Sequence, residues 1–411
     1  MNIIIIMNNL KDYEEDIYKC SRCGLCQFVC PVFKASVNEC AVSRGKFNML
    51  NGVIKGELSL NRKIKSYLDL CTGCNACKDF CPSKINAKEI FIAAKAQYYK
   101  NNKISLKEKI VNSYVLFKTA LCCAFIFFSV YRFLRMDKII KKFEKYILKT
   151  GLPGKRLVLL NSLAHTQYNQ RTTPHNKNNM QKAVYFEGCF NKYINKQTEN
   201  AVKKILNNAN IELIKKDFEC CGVSYLNDGN IDAFIKIANI NLEKIDCDFD
   251  YILTDCASCE EVLKTYKDYA TLPNAQKVCE KTISVVDLIK KIKFVCNKNL
   301  KIAVHKPCHD DYDFIDIVKN IDGITYVEAE DFDKCCGFSG KFALQNSEIS
   351  RKISKVKAQH YIEKNTDIIL TTCPACILGL NQGLAEIQNS QKPEVMNLFV
   401  FLALYCTPTE Y

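Results

Sequence analysis

Two stretches of the chain repeat one pattern: Cys20, Cys23, Cys26 and Cys30 followed by Pro31, and Cys71, Cys74, Cys77 and Cys81 followed by Pro82. In each, three cysteines are separated by two residues, a fourth follows after three more, and proline closes the run. Three thiolates on one tight loop suit three irons of a 4Fe-4S cube, while a fourth cysteine, held by proline at the start of a helix, points away from that loop. Structural zinc also takes thiolates, but it needs four ligands per site, commonly as two separated pairs, and these runs fit that poorly. A chain of 411 residues needs no disulfide staples. The chemistry these spacings support is one-electron transfer.

Around the thiolates, residues 11–100 read as one module whose two cysteine loops are separated by a helical insert at 43–65. The doubled run resembles that of a two-cluster bacterial ferredoxin. The resemblance implies a crossed arrangement, with Cys20, Cys23, Cys26 and Cys81 around one 4Fe-4S cluster and Cys71, Cys74, Cys77 and Cys30 around the other. Residues 101–160 are expected to be mostly helical. Their apolar centre, residues 119–131, has 13 uncharged residues, short of the roughly 18–20 that a bilayer span needs. A buried or interfacial helix is expected there, and residues 115–134 are the candidates for membrane-surface contact. The basic residues that follow, Arg132, Arg135, Lys138, Lys141 and Lys142, suit either anionic lipid or a solvated face. Residues 161–181, rich in Asn, Gln and Thr, read as a linker.

Beyond the linker the chain repeats itself, as residues 182–298 and 299–411. Cys189, Cys220, Cys221, Cys256 and Cys259 recur as Cys308, Cys335, Cys336, Cys373 and Cys376, at offsets of 115–119 residues. Such constancy means duplication. Each copy alternates short β-branched runs with helical stretches such as 200–208 and 350–364, which argues for an α/β unit with a largely parallel sheet. The cysteines should gather at the carboxyl ends of the strands, where helix starts lower thiolate pKa and favour an anionic cluster. Five thiolates per copy exceed what one zinc uses, so all ten are candidate metal ligands. Cys40, Cys122, Cys123, Cys247, Cys279, Cys296 and Cys406 fit no pattern and read as structural. His305 and His309 flank Cys308 and are candidates either to tune a cluster or transfer protons or to be structural histidines; Arg44 and Gly45, in the insert, are candidates to contact another subunit or a cluster edge.

Composition sets the setting. The apolar run at residues 3–7 is too short, and lacks the basic flank, to be a signal peptide, so 25 cysteines point to a reducing cytoplasm. Net charge is +14, but lysine is abundant throughout and no Arg-rich, aromatic-interleaved stretch marks a nucleic-acid surface, so no nucleic-acid partner is expected. Neither a dinucleotide fingerprint nor a P-loop is present, so flavin or NAD is expected on another chain.

The whole arrangement resembles the iron-sulfur subunits of glycolate oxidase and anaerobic glycerol-3-phosphate dehydrogenase, related to lactate-utilisation proteins and to the Cys-Cys-Gly subunit of heterodisulfide reductase. Cys20 to Pro82, with Ser43-Arg44-Gly45-Lys46 between its runs, carries the first likeness; Phe186-Glu-Gly-Cys-Phe190 and Cys-Cys-Gly-Val carry the second. The resemblance implies a mostly helical two-cluster module followed by a duplicated α/β Cys-Cys-Gly pair, with one or two further iron-sulfur clusters in that pair. It implies a non-catalytic electron-transfer subunit, with no catalytic residue of its own, serving a FAD-containing 2-hydroxy-acid dehydrogenase and passing electrons to quinone or another membrane acceptor. The setting so implied is the cytoplasm or the inner face of the cytoplasmic membrane. Because all ten Cys-Cys-Gly cysteines are present, heterodisulfide-reductase-like thiol/disulfide catalysis is the alternative, with service to a glycerol-3-phosphate or lactate dehydrogenase as another.

Overall fold

Short helices fill the chain up to residue 102, and parallel sheets follow from residue 181. The computed structural model describes residues 9–102, 116, 119, 123, 180–206, 211–308, 314–388 and 391–410. The expected helical segment at 103–160, with its membrane-contact residues, otherwise lies outside the described residues, as does the linker at 161–179. Among the described residues no helix is long and apolar enough to cross a membrane.

In the N-terminal module both cysteine loops are bent by left-handed residues at matching positions: Arg22 (φ 60°) and Gly24 (φ 86°), then Gly73 (φ 72°) and Asn75 (φ 59°). Gly24 and Asn75 each open a short helix, Leu25–Val29 and Ala76–Asp79. Backbone turned this way aims successive N–H groups into a concavity that suits an anion. The insert forms helices Ser43–Ile54 and Arg62–Leu68. Gly45 lets the first of these lie against the preceding turn, since a Cβ there would come within 2.2 Å of the Glu39 carbonyl oxygen. Helix Ala87–Asn101 closes the module over a core of Leu10, Phe47, Leu50, Leu68, Ile90 and Phe91.

The first sheet holds β1 (Gln181–Phe186), β2 (Ile211–Lys215), β3 (Tyr251–Thr254) and β4 (Thr282–Ser284), parallel in the order β2-β1-β3-β4. The second holds β5 (Lys293–Val304), β6 (Asp322–Tyr326), β7 (Ile368–Thr371) and β8 (Glu394–Asn397) in the order β6-β5-β7-β8, with β9 (Cys406–Glu410) antiparallel on β5. Even the register repeats: Ala183 pairs with Tyr251, and their counterparts Ile302 and Ile368 pair with each other. Gln181 opens β1 instead of ending a linker, and β5 runs across the boundary expected at 298/299.

One apolar core joins the copies, taking Tyr185, Ile205 and Ile289 from the first and Phe294, Leu370 and Phe399 from the second. Each fully buried large side chain contributes about 1.5–3 kcal/mol, so the pair is not separable without exposing that core. Helices Gln197–Leu206 and Leu398–Tyr405 pack across this junction, where Lys204 Nζ donates to the Ala403 carbonyl at 2.7 Å. The N-terminal module touches both copies. Helix Pro31–Ser36 lies on helix Ser347–Glu363 through Val32 and Ile353, and helix Ala87–Asn101 lies on helix Val223–Asp228.

Candidate metal centres

The module's eight cysteines fall into two groups. Cys20, Cys23, Cys26 and Cys81 line a cavity of about 30 Å³, which Cys77 and Arg44 also reach. Cys30, Cys71, Cys74 and Cys77 line a second cavity of about 30 Å³, bordered by Cys26. Cys30 caps helix Pro31–Ser36, and its sulfur accepts from the Phe33 N–H at 3.5 Å. Cys71 Sγ accepts from the Gly73 N–H at 3.4 Å. The expected helix after Pro82 does not form. Lys84 takes a left-handed φ of 49°, its N–H closes a turn onto the Cys81 carbonyl at 3.0 Å, and the Ser83 hydroxyl bonds the Lys19 carbonyl at 3.0 Å. Proline thus orients Cys81 through a turn and Cys30 through a helix.

Burial pushes the Cys30 and Cys77 thiols up to about 12. A metal bound by these thiols would have to displace their protons. Lys46, absent from the candidate ligand set, is buried beside them. Its ammonium donates to the Leu70 carbonyl at 2.9 Å, burial lowers its pKa, and Cys71 and Cys30 oppose that. Arg44, bonded to Glu39 at 2.8 Å, stands at the rim of the first group.

All ten cysteines of the duplicated pair line one cavity of about 390 Å³, which Cys71 also reaches. The Cys-Cys pairs and the first cysteine of each Cys-x-x-Cys arrive by the same local route in both copies, whereas Cys189 sits in helix Gly188–Tyr193 and Cys308 in a turn. Cys256 and Cys373 follow β3 and β7 and cap helices Ala257–Leu263 and Pro374–Ala385, their N–H groups donating at 3.4 Å to Thr254 and Thr371. Gly222 (φ 91°) and Gly337 (φ 80°) turn the chain after each Cys-Cys pair and direct an N–H at the first sulfur, at 3.5 Å to Cys220 and 3.4 Å to Cys335. A Cβ at either glycine would lie 2.7 Å from Phe234 or from its counterpart Ile353, so glycine is required on two counts.

The sulfurs are close. Cys189 and Cys220 stand 3.5 Å apart, and Cys336 and Cys376 3.7 Å. Hydrogen bonds from Cys189 and Cys221 hold Cys220 well below the usual thiol range, and bonding with Cys335 and Cys376 does the same for Cys336. The same bonds, with burial, push Cys189 and Cys376 up. Each copy therefore lines the cavity with five cysteines, a donor set that suits iron and sulfide. Ser258 of the first copy lies 3.7 Å from Cys373 of the second, so the two sets face each other.

The module meets this cavity through Cys74, whose thiol bonds Cys335; Cys308 also bonds Cys335. A buried ionic network borders the meeting point. Asp228 accepts from Tyr99 at 2.6 Å and Lys341 at 2.8 Å, and Lys65 pairs with Asp69 at 2.8 Å. No local spacing announces these partners. Cys40, Cys247, Cys279, Cys296 and Cys406 stay away from the cavities described and carry free thiols. Cys123 is exposed, and Cys122 and His309 lie outside the described residues.

Known proteins sort the same way. A family of 4Fe-4S dicluster domains matches residues 16–85, and a cysteine-rich domain family matches residues 183–264 and 302–381. The probable glycolate oxidase iron-sulfur subunit of Bacillus subtilis is 23% identical over 96% of this chain and 95% of its own length. The glycolate oxidase iron-sulfur subunit of Escherichia coli is 21% identical over 87% and 88%. A fumarate reductase (CoM/CoB) subunit of Methanothermobacter marburgensis is 28% identical over 53% of this chain and 45% of its own. Fold, thiolate sites and matches together define an iron-sulfur electron-transfer protein with a dicluster domain ahead of paired cysteine-rich domains. The chain shares this domain order with the glycolate oxidase iron-sulfur subunits it resembles, and its dicluster domain indicates two 4Fe-4S clusters.

Proposed function

We propose that this chain is the electron-transfer subunit of a flavin-dependent 2-hydroxy-acid dehydrogenase of glycolate oxidase type, receiving electrons from a FAD-containing partner and handing them toward quinone. The names of the full-length relatives support the partner class. The observation that carries the relay is the unbroken succession of thiolate groups: Cys26 borders the cavity of Cys30, Cys71, Cys74 and Cys77, and Cys74 touches Cys335 in the cavity of the ten. In this reading Cys20, Cys23, Cys26 and Cys81 hold one cluster, Cys71, Cys74, Cys77 and Cys30 the next, and the two sets of five hold further iron-sulfur centres. Bound clusters would supply one-electron transfer at potentials tunable over roughly −700 to +450 mV. The chain's own residues set that tuning. The Lys46 ammonium group lies beside Cys30 and Cys71, and the Gly222 and Gly337 N–H groups bond sulfur. The cytoplasmic side is the setting in which such thiolates stay reduced.

The test is reconstitution. Alone, the chain should not oxidise glycolate or lactate. With its flavoprotein partner and a quinone analogue it should raise acceptor reduction, and Cys74→Ser should lower that rate while reduction of the flavin by substrate is unchanged. A second reading, thiol/disulfide chemistry, draws on one observation: the 390 Å³ cavity between the two sets of five has room for a small substrate. Disulfide reduction by the isolated chain with an artificial donor, abolished by Cys336→Ser, would favour it.

A further inference from the structure

His305 follows the last residue of β5 and is fully buried. A ring nitrogen of His305, Cys336 Sγ and Cys376 Sγ all lie within 4.8 Å of one another. The backbone holds this corner firmly, since the His305 N–H donates to the Leu370 carbonyl of the neighbouring strand at 2.8 Å.

The ring's tautomer follows from its other neighbour. Nδ1 is 3.2 Å from the Tyr361 hydroxyl, and that hydroxyl donates its proton to the Val304 carbonyl at 3.1 Å. A hydroxyl has one hydrogen to give, so toward His305 it accepts, and Nδ1 carries the N–H. Assigned in this way from the hydrogen-bond network, the neutral ring bears its lone pair on Nε2. An imidazole whose one N–H is tied to an oxygen acceptor keeps its other nitrogen as the lone-pair donor, the tautomer control that metal-binding histidines show.

We propose that His305 Nε2 is a nitrogen ligand of the iron centre held by Cys308, Cys335, Cys336, Cys373 and Cys376, an inference that rests on the reading of these cysteines as iron ligands. Tyr361 is then the positioning residue, fixing the tautomer from behind. The first copy has no such donor. Phe186 occupies the position of His305 there and packs on the Phe218 ring at 4.8 Å between centroids, so that position offers no nitrogen. Duplicated scaffolds would thus carry centres of different coordination, sulfur in the first and sulfur with nitrogen in the second.

The experiment uses the full chain, loaded anaerobically with iron and sulfide, with both counted. Pulsed electron-nuclear resonance of the paramagnetic states is recorded at natural abundance and with [15N]histidine. The expected result is a strong nitrogen coupling that changes with the label, is lost in His305→Gln, and is altered in Tyr361→Phe, which keeps the ring but removes its acceptor. The labelled wild-type protein needs no variant to fold. Full iron loading of both sets of five with no histidine coupling overturns the inference, as does a coupling that survives in His305→Gln. Loading of the N-terminal module alone would instead remove the reading beneath it.

Discussion

In the first cysteine-rich copy the wall behind the thiols is acidic. Asp255, 1% exposed, accepts from the Tyr185 hydroxyl at 2.6 Å and from Asn191 at 3.0 Å, with the buried carboxylate Glu187 nearby. In the second copy the positions of Asp255, Tyr185 and Glu187 hold Thr372, Val304 and Lys306, and the buried Lys357 bonds the Asp331 carbonyl. The backbone around the Cys-Cys pairs has not diverged: strand order, register, the N–H bonds to the first cysteine of each pair and the left-handed glycine after it all match. The difference teaches that duplication here kept the thiolate geometry and released the polar wall around it.

If the copies are independent holders, the largest effect comes from the cysteines. Cys220→Ser should abolish iron loading of the first copy alone and Cys336→Ser that of the second alone, read as iron and sulfide per chain. Loss from both copies in either variant would make them one site and break the comparison. Next in size are the shared glycines. Gly222→Ala and Gly337→Ala each force an L-residue into the left-handed region, about 1–2 kcal/mol, and overpack Phe234 or Ile353, about 1–3 kcal/mol. Urea unfolding should show both losses, similar in magnitude; a loss in one copy only would show that the match of turns is superficial.

The acidic wall sharpens the contrast through pH. Burial pushes the Asp255 carboxyl up to about 7, against the opposing bonds from Tyr185 and Asn191. In the unfolded chain it titrates near 3.9. The stability tied to its protonated form is therefore complete below about pH 4 and is lost as pH rises toward 7, by at most about 4 kcal/mol. Asp255→Asn should flatten that slope in the iron-free chain, whereas Thr372→Val in the second copy should leave it unchanged. A smaller effect, about 1 kcal/mol, is expected from Ser354→Ala, which removes the 2.9 Å bond to the Cys336 carbonyl. In the first copy the Tyr266 hydroxyl supports the equivalent Cys221 carbonyl at 3.0 Å instead.

Much of this was legible in the chain itself. Cysteine spacing encodes local loops, so the two groups of four and the two groups of five appear where their runs and offsets put them. The alternation of β-branched and helical stretches likewise foretold parallel sheets with cysteines at their carboxyl ends. Proline after cysteine was a weaker guide. Pro31 starts a helix, while Pro82 precedes a turn, because the left-handed Lys84 and the Ser83 bond to Lys19 intervene. Contacts made by docking left no local trace. Cys74 against Cys335, Asp228 among Tyr99, Lys341 and Lys65, and His305 against Tyr361 join residues 56 to 261 positions apart.

The central claim is that this chain carries iron-sulfur centres in both the N-terminal module and the duplicated pair. Iron and acid-labile sulfide counted on the full chain after anaerobic loading test it most directly. The account predicts more than the about eight irons and eight sulfides of two cubanes, with the excess falling in Cys220→Ser and again in Cys336→Ser. A count of about eight that neither variant changes, or zinc without sulfide in the pair, would contradict it.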